Sequence, residues 1–320
     1  AYEGLCAMAS QEKPGAALLY GVTGSGKTAV YLHLIARALA SGKTALYLVP
    51  EIALTPQLIE RLMRHFGRDV AVLHSSLRVR ERYDEWRRIR EGKARVVIGT
   101  RSAVFAPLES PGVIIVDEEQ EHSYKSEQTP RYHAREVALW LGLHHRALVV
   151  LGSATPSVES MYQADRGVYG LFRLADRYNG SDLPRVDVVD LKEELRRGND
   201  TAISKPLQDA LAEAMAAGHQ SILFLNRRGA GQYVVCVDCG DVPQCPRCSV
   251  SLTYHAANHR LLCHYCGYSQ PARAQCPVCG GHRKVMGTGT QKVELELQAL
   301  FPGTEILRMD ADTVSAANSH

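Results

Sequence analysis

The chain has 320 residues, 45% hydrophobic and 22% charged, a composition typical of a soluble globular protein with room for two domains. No apolar run reaches the roughly 18–20 residues of a membrane span, and the N-terminus lacks a signal-peptide pattern, so we expect a cytoplasmic protein without membrane contacts. The formal net charge of +3 becomes about −1 if eight cysteines bind two Zn²⁺ ions, so overall charge does not indicate a nucleic-acid partner. The absence of an initial Met and the polar last residues lead us to expect a segment of a longer protein.

Short apolar runs alternate with helix-like stretches before residue 225. The runs predicted to be strands are Ala16–Tyr20, Thr44–Val49, Val70–Leu73, Val96–Ile98, Val113–Val116 and Leu148–Leu151. Helical stretches such as Ala29–Ala40 and Gln57–Phe66 separate them. This alternation predicts an α/β fold with a mainly parallel sheet and helices on both faces.

The pattern changes after a further predicted strand, Ser221–Leu225. Residues 236–279 are rich in loops and contain eight of the nine cysteines. Strand and helix character then returns at Gln291–Leu300 and Glu305–Met309. This order predicts a cysteine-rich module inserted into a second α/β domain.

Residues 21–28 match the phosphate-loop pattern G-x-x-x-x-G-K-[ST] between a predicted strand and a predicted helix, which is the context that the motif requires. Glycines let backbone N–H groups surround phosphates, and the helix N-terminus adds partial positive charge. We expect Lys27 to contact the β- and γ-phosphates and the Thr28 hydroxyl to ligate Mg²⁺. The residues predicted to bind ATP are Gly21, Val22, Thr23, Gly24, Ser25, Gly26, Lys27 and Thr28.

Two acids, Asp117 and Glu118, follow the apolar run Val113–Val116. They lie at the carboxyl end of the predicted strand, where α/β sheets place their ligands. We expect Asp117 to hold the hydration shell of Mg²⁺ and Glu118 to orient and deprotonate the attacking water. Solvated acids often end a strand, but the phosphate loop 90 residues upstream favours ATP hydrolysis, with Lys27, Asp117 and Glu118 as catalytic residues.

Three other strand ends carry small hydroxyl residues and exposed backbone N–H groups, which suit contacts with phosphodiesters. They contain Thr55, then Thr100 with Arg101, then Ser153 with Thr155. A simple turn would explain each segment singly. In this order and context they resemble motifs Ia, Ib and III of superfamily 2 helicases.

Four Cys-x-x-Cys pairs indicate two closed, structural Zn²⁺ sites, because each pair presents two thiolates at tetrahedral spacing. The inner pairs enclose a 14-residue hairpin-like insert, and the five residues between the first two pairs are too few for a separate hairpin, which favours nesting. The predicted ligands are Cys236, Cys239, Cys276 and Cys279 for one ion and Cys245, Cys248, Cys263 and Cys266 for the other. The module either contacts DNA or protein through Tyr254, His255, Tyr265 and Tyr268, or is purely structural.

Taken together, these features resemble the primosomal protein N′ (PriA) family of bacterial replication-restart DNA helicases. The resemblance is carried by residues 21–28, 48–57, 131–135, 151–157 and 223–229 and by the cysteine pattern. It implies an ATP- and Mg²⁺-dependent helicase with 3′→5′ polarity that acts on stalled or branched replication forks. The implied partners are single-stranded and forked DNA, single-strand binding protein, and primosome or helicase-loader proteins.

The resemblance also concerns the segment that follows the acidic motif. Tyr124, Arg131, Tyr132 and Arg135 lie in a stretch similar to the aromatic-rich loop by which such helicases report DNA occupancy to the hydrolysis site. Aromatic and basic side chains suit base stacking and phosphate contact, although an ordinary solvated loop is the alternative. Gln120 replaces the family's usual His and cannot carry charge, so we expect coupling between ATP and DNA to be altered rather than lost.

The predicted architecture is a RecA-like P-loop NTPase lobe at residues 1–174 and a connector at 175–220. The start of a second RecA-like lobe follows at 221–235 and 285–320, with the two-zinc module inserted at 236–284. We expect the family's arginine-finger motifs to lie outside these residues, so this chain alone should be weakly active or inactive. An alternative from another class is a zinc-organised platform that binds DNA or protein and carries a vestigial ATPase. A P-loop kinase would leave the strand-end motifs and the zinc pairs unexplained.

Overall fold

A seven-stranded parallel sheet lies at the centre of the first of two compact units, Ala1–Pro184 and Arg185–His320. The computed structural model describes residues 1–178, 180, 182, 184–199, 201–225, 233–255, 258–286 and 290–309. The strands are β1 (Ala16–Gly21), β2 (Thr44–Leu48), β3 (Val70–Leu73), β4 (Val96–Gly99), β5 (Pro111–Asp117), β6 (Leu148–Ser153) and β7 (Gly170–Leu174). Their order across the sheet is β3-β4-β2-β5-β6-β1-β7, and every neighbouring pair is parallel. All six predicted strands are present, and only β7, which is half-buried, was not predicted.

Six helices cover the two faces of this sheet. They are α1 (Tyr2–Ala9), α2 (Lys27–Ala40), α3 (Pro56–Phe66), α4 (Val79–Arg90), α5 (Ala134–His145) and α6 (Val158–Asp165). Successive strand residues point to opposite faces, so Leu19 and Ile115 join one hydrophobic cluster with α1, α2 and α3. Leu18 and Ile114 join the other cluster with α4, α5 and α6. The predicted parallel sheet with helices on both faces is therefore confirmed.

The second unit contains three helices and two small antiparallel sheets among its described residues. The helices are α7 (Leu191–Arg196), α8 (Lys205–Ala216) and α9 (Thr290–Leu300). Strand β8 (Tyr233–Cys236) pairs with β12 (Arg283–Met286), and β9 (Thr253–His255), β10 (Arg260–Leu262) and β11 (Ser269–Pro271) form the other sheet. Helices α8 and α9 share a small core that includes Leu211, Val293 and Leu297.

Two predicted strands of the second unit are absent from the described residues. Residues 221–225 and 305–309 have no regular secondary structure, and Ile222 and Phe224 are 97% and 86% exposed. A strand forms only where a neighbour satisfies its backbone groups, and neither segment belongs to a sheet formed by the described residues. The remaining residues of the predicted second lobe at 226–232, 287–289 and 310–320 lie outside the described residues.

Candidate active site and metal centres

The phosphate loop connects the end of β1 to the start of α2. Gly24 and Gly26 have φ angles of 79° and 88°, which residues with a side chain rarely adopt, so both positions need glycine. Lys27 is buried, and its Nζ donates a hydrogen bond to the Gly21 carbonyl oxygen at 2.7 Å. The buried Ser25 hydroxyl has no hydrogen-bond partner among the described residues. An unpaired hydroxyl in a glycine-rich turn at a helix N-terminus fits a phosphate ligand.

Asp117 ends β5, and three donors converge on its carboxylate. The hydroxyl of Tyr31 donates to Oδ1 at 2.9 Å, that of Tyr47 to Oδ2 at 3.2 Å, and the backbone N–H of Glu118 to Oδ1 at 3.1 Å. Burial raises the pKa of Asp117 above its ordinary value, while the Tyr31 hydrogen bond and the charge of Lys27 oppose that rise. A carboxylate that is held in place near a phosphate loop is suited to contact the water molecules that surround a magnesium ion.

Neither tyrosine was among the predicted site residues. The one sequence signal is the position of Tyr31, four residues after Lys27, which places both on the same side of α2. Tyr47 is a core position of β2 that the sequence alone does not distinguish from any other apolar strand residue.

A chain of hydrogen bonds joins Glu118 to the end of β6. Gln120 Nε2 donates to Glu118 Oε2 at 3.0 Å, and Ser153 Oγ donates to Gln120 Oε1 at 2.6 Å. The backbone N–H of Thr155 in turn donates to Ser153 Oγ at 2.8 Å. Gln120 therefore uses both halves of its amide, and it links the predicted water-activating acid to the predicted motif III segment without carrying charge.

Glu119 is the centre of a buried polar cluster that ties the acidic motif to α5 and α6. Its side chain has no exposed surface and forms an ion pair with Arg135, whose Nη1 lies 2.7 Å from Oε2. The Ser157 backbone N–H donates to Oε1 at 2.7 Å, and the hydroxyls of Ser157 and Ser160 donate to Oε2 at 3.1 and 2.8 Å. Arg135, one of the residues predicted for DNA contact or coupling, is thus bound to Glu119 within the first unit.

Replacing Arg135 by Ala should lower the free energy of unfolding of the first unit by about 3–5 kcal/mol, because the substitution leaves a buried carboxylate unpaired. The measurement is urea denaturation of the chain, monitored by a spectroscopic signal that comes from the first unit. Arg64→Ala is the matched control, since the ion pair of Arg64 with Glu60 is exposed and should contribute less than about 1 kcal/mol. Equal losses in the two variants would contradict the structural importance of the Glu119 cluster.

Several residues predicted for DNA contact or coupling are buried in the first unit or form hydrogen bonds within it. Tyr124 has no exposed surface and donates a hydrogen bond to the Asp117 carbonyl oxygen at 2.6 Å. Thr100 and Ser153 are buried, so neither side chain is placed to touch DNA. The Thr55 hydroxyl caps α3 by accepting from the Leu58 backbone N–H at 3.3 Å. The burial of Tyr124, Thr100 and Ser153 leaves coupling, not direct contact, as the role to test for these three residues.

The predicted coupling loop is attached to the ends of β4 and β5. Arg101 donates to the carbonyl oxygens of Ser123 and Lys125 at 3.1 and 2.7 Å. The Tyr132 ring packs edge-on against the exposed Phe105, with 4.8 Å between the ring centroids, and Arg131 is exposed. Arg131 is exposed and Tyr132 is partly exposed, and both lie on the segment that also carries Tyr124 against Asp117.

The cysteines of the second unit form two clusters of four. One contains Cys236, Cys239, Cys276 and Cys279, the other Cys245, Cys248, Cys263 and Cys266, and the ligand atoms of each cluster lie within 4.8 Å of one another. Sulfur–sulfur distances include 3.5 Å for Cys236–Cys279 and 3.6 Å for Cys245–Cys266. A tetrahedron with Zn–S bonds of about 2.3 Å has edges of about 3.8 Å. The thiolates are therefore already spaced for zinc, in an outer and an inner group.

Two family profiles match the chain. The DEAD/DEAH box helicase profile covers residues 6–164, and the profile of the PriA DNA helicase Cys-rich region domain covers residues 245–271. Separately, none of the described helices is both long and apolar enough to cross a bilayer.

Curated relatives match almost the whole chain. Replication restart protein PriA of Bacillus subtilis is 52% identical over 95% of this chain and 38% of the relative. The Haemophilus influenzae protein of the same name is 43% identical over 93% of this chain and 40% of the relative. The chain thus spans about two fifths of the length of the curated relatives that it matches.

Among solved structures, RecG bound to a three-way DNA junction is 25% identical, with a TM-score of 0.41, over 57% of this chain and 23% of that one. The Pyrococcus furiosus Hef helicase domain is 18% identical, also with a TM-score of 0.41. The identity to the curated relatives, the helicase profile on the first unit and the Cys-rich profile on the second agree. Over almost their whole length, these 320 residues match members of the PriA family.

Proposed function

We infer that this chain is the ATP-binding and zinc-binding part of a DNA helicase that acts in replication restart. The names of the relatives, the helicase profile and the buried phosphate-loop lysine support this role. The observation that carries it is the continuous hydrogen-bond path from Thr155 through Ser153 and Gln120 to Glu118. Such a path gives a nucleic-acid motor a physical connection between its hydrolysis site and a predicted DNA-facing segment.

The finer details of this role rest on the resemblance to the family. They are 3′→5′ polarity, action on stalled or branched forks, and partnership with single-strand binding protein and helicase-loader proteins. The cytoplasm, where bacterial DNA is replicated, is the compartment that the role implies. The chain alone is expected to hydrolyse ATP weakly or not at all, since an arginine supplied from elsewhere contributes about 10³–10⁵ to the rate in enzymes of this class.

Four residues would carry out hydrolysis. Lys27 would leave the Gly21 carbonyl oxygen and bind the β- and γ-phosphates, and Thr28 and Asp117 would hold the magnesium ion. The magnesium ion would neutralise part of the negative charge of the phosphates. Glu118, held by Gln120, would orient the attacking water and accept its proton.

The two cysteine clusters would each bind one Zn²⁺ ion. Four thiolates leave no open coordination position, so the ions would be structural and would not take part in hydrolysis. The alternative function, a zinc-organised binding platform with a vestigial ATPase, would not need the buried contacts of Lys27 and Asp117.

The test uses a chimera in which residues 1–320 replace the matching segment of the Bacillus subtilis relative. Single-stranded DNA should stimulate its ATP hydrolysis, and Lys27→Ala should remove nucleotide binding. Arg131→Ala combined with Tyr132→Ala should leave basal hydrolysis intact, but raise the DNA concentration for half-maximal stimulation by about tenfold, since one stacked base is worth about 1–3 kcal/mol.

Arg80→Ala combined with Tyr83→Ala, an exposed pair on α4, is the matched control and should leave DNA stimulation unchanged. An identical response of the two double variants would rule out the coupling role of Arg131 and Tyr132. A chimera that binds DNA but never hydrolyses ATP would favour the binding platform.

A further inference from the structure

Two tyrosines from different elements meet at the carboxylate of Asp117. Tyr31 comes from α2, the helix that begins with Lys27, and Tyr47 comes from β2, next to β5 in the sheet. Both side chains have no exposed surface. Their rings pack edge to face with 5.5 Å between centroids, so each ring limits the rotation of the other.

The two hydroxyls contact different oxygens of the carboxylate. Tyr31 donates to Oδ1 at 2.9 Å and Tyr47 to Oδ2 at 3.2 Å. A carboxylate has about four acceptor positions, and the Glu118 backbone N–H takes one more on Oδ1. Because both oxygens are held, the Asp117 carboxylate cannot turn freely, and the unused positions point in a fixed direction.

Gly152 on β6 provides the room for this arrangement. A Cβ at Gly152 would lie 1.7 Å from the Tyr31 hydroxyl and 3.3 Å from Asp117 Oδ1. Gly152 pairs with Asp117 across β5 and β6 and does not have a positive φ angle. Space, and not backbone conformation, is therefore the reason for glycine at this position.

Burial makes such support necessary. Removing a carboxylate from water disfavours its charged form. Asp117 must be charged if it is to hold the hydration shell of a magnesium ion. The hydrogen bonds from the two tyrosine hydroxyls stabilise the charge of the carboxylate and also fix the orientation of the carboxylate group. Groups that orient a metal ligand in this way typically change metal affinity by about 10–100-fold when they are removed.

We propose that Tyr31 and Tyr47 are positioning residues that aim the Asp117 carboxylate at the magnesium ion of the bound nucleotide, in the space that Gly152 leaves open. The assignment depends on the proposed ATP site. It gives the two tyrosines a role through Asp117 alone, since neither is assigned a contact with the nucleotide.

The experiment measures binding of a fluorescent ATP analogue to the 320-residue chain as Mg²⁺ is titrated, so that no turnover is needed. In Tyr31→Phe and Tyr47→Phe, the Mg²⁺ concentration at half-maximal effect should rise about tenfold or more. Affinity for the analogue without Mg²⁺ and zinc content should stay unchanged. Tyr124→Phe is the matched control, because it removes an equally buried hydroxyl that contacts the Asp117 carbonyl oxygen and not the carboxylate; its Mg²⁺ midpoint should move less than about twofold.

Gly152→Ala tests the same idea without deleting a hydroxyl. Its added methyl group should displace the Tyr31 hydroxyl and raise the Mg²⁺ midpoint to a similar extent, with little further change when combined with Tyr31→Phe. If Tyr31→Phe does not fold, Tyr47→Phe decides, since it frees the other oxygen. Unchanged midpoints in the folded variants, or an equal shift in Tyr124→Phe, would overturn the assignment. Absence of any Mg²⁺-dependent binding by the unaltered chain would instead overturn the proposed nucleotide site itself.

Discussion

Replacing Glu118 by Gln should lower the rate of ATP hydrolysis about 10²–10⁴-fold, the usual contribution of a general base, while leaving nucleotide affinity unchanged. The amide has nearly the shape of the carboxylate but cannot accept a proton from water. Glu118 has a φ angle of 45°, a conformation that is uncommon outside glycine, and its Oε2 is held by Gln120. The backbone and the side chain therefore both fix the direction of this acid.

The effect should be measured in the chimera described above, by steady-state hydrolysis and by separate titration with a fluorescent ATP analogue. Glu121→Gln is the matched control, because it makes the same chemical change three residues further along and should leave hydrolysis within about twofold. Loss of nucleotide binding in Glu118→Gln would mean that this carboxylate holds the magnesium ion. Retention of full hydrolysis would mean that another group activates the water.

Those parts of the site that lie in one continuous segment could be predicted from the sequence. The phosphate loop carries its own signal, because the positive φ angles at Gly24 and Gly26 demand glycine at a fixed spacing before a helix. The same is true of Asp117 and Glu118, which end a run of buried apolar residues. The strands of the first unit were predictable because both faces of a parallel sheet are buried, which makes each strand a short apolar run.

Contacts between distant segments were not predictable in the same way. Tyr31 and Tyr47 are 86 and 70 residues from Asp117, and only the β2-β5 pairing and the position of α2 bring them to one carboxylate. Arginine is a residue type that often binds phosphates, but the side chain of Arg135 forms an ion pair with Glu119, 16 residues away. The expected strands at 221–225 and 305–309 have suitable residues, but a strand also needs a neighbour that local sequence does not reveal.

Loss of one zinc site should unfold the part of the module that surrounds it, the largest effect on stability that we expect. Among the described residues around the inner cluster, the buried apolar residues besides the cysteines are Val234, Leu252 and Leu261. So small a core cannot offset the conformational entropy of the three short strands β9, β10 and β11. Binding of a structural zinc ion contributes about 10–16 kcal/mol in small zinc domains. Cys245→Ser should therefore abolish the protection of the amide hydrogens in these strands from exchange.

Zinc content of the purified chain then tests how the cysteines are grouped. The unaltered chain should hold two ions, and Cys236→Ser, Cys279→Ser and the combination of both should each hold one, because these residues belong to one cluster. Cys236→Ser combined with Cys245→Ser should hold none. Cys6→Ser is the control and should keep both ions, since Cys6 is buried in the first unit. The decisive variant is the Cys236 and Cys279 combination: loss of both ions there would place the two residues in different sites, and the nested arrangement would be wrong.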